Sequence, residues 1–119
     1  MRGIHIWMVN KMQNKYGYFN NEQMENYKVS LHKDLFWLLL YKDPKTKDEY
    51  SYVDFNKYFD GIMRRFAGLN ELLFYPTEII SIMSLLEAAL IESQKEDFNY
   101  KAYRKLVLDA QSEIDKIGG

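Results

Sequence analysis

The chain of 119 residues contains no cysteine. Disulfides, thiolate nucleophiles and cysteine-based zinc sites are therefore excluded by composition alone. That lack fits a cytoplasmic protein. There are only two prolines and six glycines. The glycines are scattered, so no glycine-rich phosphate loop is formed, and neither Ser81 nor Ser84 sits in a Gly-x-Ser-x-Gly elbow.

Histidine is nearly as scarce, with His5 and His32 alone. The positions four residues either side of His32 are Lys28 and Phe36, so helical metal-ligand spacing fails. No Glu-x-x-His pair of the di-iron bundle kind occurs either. We read both histidines as ordinary, and expect neither a metal nor a cofactor.

No excess of one charge is present. Sixteen basic groups meet seventeen acidic ones, a formal net charge of −1. A protein that grips a phosphate backbone usually carries a basic excess or stripe, so composition argues against nucleic acid as a partner. Long apolar runs are missing as well. The opening MRGIHIWMVNKM holds an apolar patch too short for a secretory signal, with no small-residue cleavage site after it. The most apolar stretch, PTEIISIMSLLEAALI at 76–91, falls short of the ~18 apolar residues that suggest a membrane span.

What the chain does have is apolar and aromatic residues, 47% and 16% of the total, too many for a disordered chain. Their spacing is helical. The stretch 76–91 has no Lys or Arg and large apolar groups on most of its circumference. It calls for wrapping by other helices. We expect it to run from Pro76 or Thr77 to Gln94 or Lys95, and to be the centre of the fold.

The other elements are read around it. Ile4, Trp7, Met8, Met12 and Tyr16 suit a helix over 4–16 with Gly17 as its stop, although Ile4, Ile6 and Met8 also alternate as a strand would. Residues 1–19 are expected to form an arm held loosely to the rest. Asn20 or Asn21 suits an N-cap for a helix that runs to about Lys42 and ends before Pro44. Met24, Tyr27, Leu31, Leu35 and Leu38 form its stripe. Its second half, LFWLLLY, is apolar nearly all round and is expected to pack deeply on the 76–91 helix. After the polar loop DPKTKDEY, Ser51 with Asp54 resembles a capping pair for a helix ending near Ala67, with Gly68 as terminator. The segment 69–75 is a helical turn or a bend. Last comes a helix over about 100–117, where Tyr100, Tyr103, Val107, Ala110, Ile114 and Ile117 step by three and four. The fold class is all-α: a single-domain antiparallel bundle of four to five helices.

Few groups remain for chemistry. Glu87, beside a narrow strip of Thr77, Ser81, Ser84 and Ala88, is the acid expected to be partly buried. A lone carboxylate does not define acid–base catalysis, and the strip equally suits solvent or close packing. Gly61 lies inside a helix, where it costs about 1 kcal/mol against Ala. It permits a close approach to the backbone, either by another helix of the chain or by a partner. Tyr58 and Arg65 share its face, and both residue types are enriched at binding hot spots. With ten tyrosines, a small bundle cannot satisfy every buried hydroxyl. Tyr50, Tyr52 and Tyr58, beside the charged loop, are expected at the surface.

The sequence therefore predicts a non-catalytic protein-binding module, of the size and composition of a small bacterial or phage inhibitor, immunity factor or adaptor. Tyr50, Tyr52, Tyr58, Gly61 and Arg65 are its candidate partner-binding residues. The partner is a protein, with self-association as a homodimer compatible. Two readings compete with it: a nucleic-acid-associated helical protein, which requires a continuous basic face, and an enzyme with a bundle pocket at Glu87.

Overall fold

A computed structural model describes residues 11–118. Its architecture is all-α, with four helices around one apolar core and a small β-hairpin leading into them.

The hairpin pairs β1 (Lys11–Asn14) with β2 (Gly17–Asn20) antiparallel, Asn14 opposite Gly17. This corrects the helix expected over 4–16 wherever the structure describes it; residues 4–10 and their alternating Ile4, Ile6 and Met8 lie outside the described residues. Asn14-Lys15-Tyr16-Gly17 carries the residues a tight turn prefers, Asn first and Gly last. The Asn14 Oδ1 accepts from the Tyr16 backbone N–H at 2.8 Å. Gly17 adopts φ +142°, so it closes a hairpin and does not end a helix. The Lys15 N–H donates to the Leu72 carbonyl at 2.8 Å, and Lys15 pairs with Glu71 at 2.8 Å.

Helix α1 (Asn21–Lys42) starts on a reciprocal cap. The Asn20 side chain accepts from the Gln23 N–H at 2.8 Å, and the Gln23 side chain accepts from the Asn20 N–H at 2.9 Å. Met24, Leu31, Leu35 and Leu38 are buried, as their spacing requires. The LFWLLLY half is not buried all round: Phe36 is 50% exposed, and Trp37, Leu39, Leu40 and Tyr41 are half-buried.

Helix α2 (Phe55–Leu72) is capped by Asp54, whose carboxylate accepts from the Lys57 N–H at 3.1 Å; Ser51 lies in the preceding turn. The helix also passes straight through Gly68. Phe59, Ile62, Phe66, Leu69 and Leu73 continue the three-and-four repeat beyond the glycine. Burying Leu69 and Leu73 stabilises by about 2 kcal/mol each, more than the ~1 kcal/mol a helical glycine costs. Termination comes at Leu73–Tyr75, where Phe74 and Tyr75 take φ of 64° and 60°. The Phe74 N–H donates to Glu71 and the Tyr75 N–H to Asn70, the two bonds of a left-handed helix cap with aromatic residues where glycine is usual.

Helix α3 (Thr77–Ser93) begins after Pro76 with no side-chain cap, so Thr77 is its first residue. Helix α4 (Tyr100–Ile114) is capped by Asn99, and its predicted seam is real: Tyr103, Val107, Ala110, Ile114 and Ile117 are buried. The layering differs from expectation. The backbone of α4 runs closest to α3 and also beside α1, while α2 flanks α3. So the backbone of α1 comes nearer to α4 than to α3. The fully buried Tyr103 makes that joint, its hydroxyl donating to the Leu38 carbonyl at 2.8 Å. Tyr100 does the same to Leu39 at 3.3 Å. Helix α3 is not wrapped on all sides: Ile79, Ile82, Leu86 and Ala89 are buried, while Ile80, Ser84, Glu87 and Ile91 face solvent.

Candidate protein-binding surface

The end of α1, the loop after it and the start of α2 bring five aromatic side chains together. Trp37 and Tyr41 are one helical turn apart and stack at 5.8 Å. Tyr50, delivered by a 3-10 turn over Lys47–Tyr50, meets both edge-on, at 5.7 Å from Trp37 and 5.5 Å from Tyr41. Tyr58 meets Tyr41 edge-on at 5.1 Å, and Phe36 meets Trp37 at 6.3 Å. Such pairings fix the rings beyond what their buried area contributes. The phenol of Tyr41 is raised above its ordinary pKa, first by burial and then by the nearby Tyr52 and Tyr50 hydroxyls. Tyr52 itself is 81% exposed.

Beside this cluster, α1 and α2 diverge around a hollow of about 250 Å³, lined by Asp34, Lys57, Tyr58, Gly61, Ile62 and Arg65. Side chains bridge it. The Tyr58 hydroxyl donates to the Asp34 carbonyl at 2.9 Å. Burial, and then the Asp34 carboxylate, hold the Tyr58 phenol well above its ordinary pKa. Arg65 donates to the Asp34 carboxylate and to the Ser30 hydroxyl, the latter at 2.7 Å. Its guanidinium also lies 5.3 Å from the Tyr27 ring centre. Gly61 is exposed at the hollow, and a Cβ built on it would meet nothing within 4 Å. Among the described residues no helix packs closely there, so close packing by those residues does not account for this glycine.

The five candidate residues thus fall into adjoining groups. Tyr50 belongs to the aromatic cluster with Tyr52 beside it, Gly61 and Arg65 to the hollow, and Tyr58 to both. Arg65 and the Tyr58 hydroxyl are committed to Asp34, so they shape the wall and do not reach outward. Sequence reasoning missed Phe36, Trp37, Tyr41 and Asp34. The first three were assigned to the core because LFWLLLY reads as a buried run. The i, i+4 spacing of Trp37 and Tyr41, next to a tyrosine-rich loop, was the available signal.

The other candidates are placed elsewhere. Glu87 is exposed and makes no hydrogen bond among the described residues. The carboxylate expected in a bundle pocket therefore faces water, and with it go Ser84 and Thr77. His32 Nε2 lies 2.7 Å from the Asp115 carboxylate, joining α1 to the end of α4, with Gln111 donating to the His32 carbonyl at 3.2 Å. His5 lies outside the described residues. Among the described residues no three His, Asp or Glu side chains gather as a metal site would require, and no helix is long and apolar enough to cross a membrane. Comparison with protein-family models, with curated proteins and with solved structures gives no match.

Proposed function

We propose that the chain is a non-catalytic helical protein-binding module, an inhibitor, immunity factor or adaptor in kind, whose partner engages the α1–α2 edge. One observation carries the reading. Phe36, 50% exposed, stands on a base of interlocked rings, and Tyr52 beside them is 81% exposed, next to an open hollow with a glycine at its edge. Exposed aromatics on a rigid support lose little side-chain entropy when a partner covers them, which is why such residues concentrate binding energy. The hollow accepts one side chain of a partner close to the α2 backbone. Nucleic acid fits this edge poorly, since the formal charge of −1 supplies no general attraction to phosphates.

A photo-reactive phenylalanine placed at Tyr52 or at Phe36 tests the proposal in the native cell, with the same group at exposed Glu96 as control. The expected result is one protein adduct shared by the first two positions and absent from the third. Gly61→Arg, which fills the hollow, should reduce that adduct at least tenfold. Adducts of equal yield from all three positions, or none from Tyr52 and Phe36, would overturn it.

A further inference from the structure

The outward face of α3 is a second surface, remote in sequence from the first and of different chemistry. Thr77, Ile80, Ser84, Glu87 and Ile91 are all exposed and step by three and four. That is the spacing of a seam meant for another helix, here turned to solvent. Ile80 is 48% and Ile91 56% exposed. Between them Ser84 and the half-buried Ala88 keep the face low, so a partner backbone can approach closely. At its N-terminal end the chain holds Phe74 and Tyr75, both more than half exposed, in left-handed backbone that disfavours any residue with a Cβ.

Charge identifies the occupant. From Phe66 to Gln94 there is no Lys, Arg or His, while Glu71, Glu78, Glu87 and Glu92 occur. Glu71 is paired with Lys15 and Glu92 with Lys95. Glu78 receives only the Thr77 hydroxyl at 3.2 Å, and Glu87, inside the seam, has no cation within salt-bridge distance among the described residues. A second copy docking through this same face would bring further carboxylates and no cation to it. A nucleic acid would be repelled by it. A helix with apolar residues at three-and-four spacing and Lys or Arg beside them satisfies both the isoleucines and the carboxylates.

We infer that the α3 face, with Phe74 and Tyr75 at its end, docks a basic amphipathic helix of another protein. The 17 residues of α3 give a face about 25 Å long at about 1.5 Å per residue, which sets the length of the helix it accepts. The surface is independent of the α1–α2 edge, and either can fail alone.

The test uses the full chain and two fluorescent peptides of about 18 residues, each with a Leu/Ala seam, one flanked by Lys and the other by Glu. Fluorescence anisotropy should show the Lys peptide binding and the Glu peptide not. The affinity should fall at least tenfold in Ile80→Asp, Ile91→Asp and Glu87→Lys. The double variant Glu87→Lys with Glu78→Lys should gain the Glu peptide as it loses the Lys one. Tyr52→Ala and Phe36→Ala should leave both results unchanged, which separates this surface from the first. All the altered residues except half-buried Glu78 are exposed, and circular dichroism checks that each variant folds. Equal binding of the two peptides, or no binding of the Lys peptide at about millimolar concentration, would overturn the inference. So would a sedimenting dimer that Ile80→Asp dissociates, since the face would then belong to a second copy.

Discussion

At the scale of single residues, two glycines show how a local cost can be left standing. Gly61 and Gly68 both lie inside α2, and a Cβ at either would meet nothing within 4 Å. Alanine therefore adds helix propensity and restricts the unfolded chain with no steric penalty. Gly61→Ala should raise the free energy of unfolding by up to about 1 kcal/mol, read from the urea midpoint at constant slope. Gly68→Ala provides the comparison, because it makes the same change away from the hollow. If Gly61→Ala alone weakens the Tyr52 adduct, the glycine serves the partner and not the fold. A destabilised Gly61→Ala would show that something does pack there. Sequence reasoning placed Gly61 in a helix correctly. What occupied the space above it could not be read, because that depends on how far α1 and α2 diverge.

At the scale of the element, helix ends were legible where a capping side chain or a proline marked them and illegible where the backbone alone made the stop. The Asn20 cap, the Asp43-Pro44 stop and the start after Pro76 follow from residue chemistry alone. The end of α2 does not. Gly68 carries the usual stop signal, yet the repeat of buried residues runs on to Leu73 and overrides it. The chain then turns at Phe74 and Tyr75 with positive φ, which costs roughly 1–2 kcal/mol for each residue that is not glycine. Phe74 is 54% exposed, so little burial offsets that cost. Phe74→Gly should hence raise stability by about 1 kcal/mol while it weakens the Lys peptide. Thermal unfolding of the pair measures the first effect. A lower melting temperature would mean that the ring holds the turn through contacts that outweigh the strain. The hairpin was missed for a related reason. Asn14 and Gly17 mark a turn, but a four-residue strand is too short for alternation to be distinguished from a helical face.

At the scale of the whole molecule, the joint between α1 and α4 is a polar one inside an apolar core. Burial pushes the Tyr103 phenol well above its ordinary value near 10, so the fold requires it neutral. A group whose folded pKa is raised adds stability that is complete below the unfolded pKa and is lost as pH climbs from there toward the folded one. The melting temperature should therefore fall above about pH 10, and half-buried Tyr58 adds to the fall in the same direction. Tyr103→Phe should cost about 1 kcal/mol at pH 7, where it leaves the Leu38 carbonyl without its donor. Above pH 10 the variant should lose stability less steeply than the parent. Circular dichroism melts between about pH 8 and 12, with phenolate absorbance followed alongside, check both parts. Parallel pH profiles would show that Tyr103 ionises as freely in the fold as outside it.

The sequence by itself determined that this chain is all-α, which four segments are the long helices, where three of them begin, and much of the buried stripe of α1, α2 and α4. Those features rest on interactions within a few residues: three-and-four spacing, a capping side chain, a proline after a helix. The tertiary structure decided which apolar residues were surplus to the core. Phe36, Ile80 and Ile91, which are exposed, belong to runs that read as buried, and nothing in those runs marks them as the residues that stay outside. Their exposure follows from α1 lying nearer to α4 than to α3, and from α2 and α4 leaving one face of α3 uncovered. The two candidate binding surfaces are what that arrangement leaves uncovered. Local spacing fixes the direction in which a helix must be buried, and only the assembled bundle fixes how much of its circumference finds a neighbour.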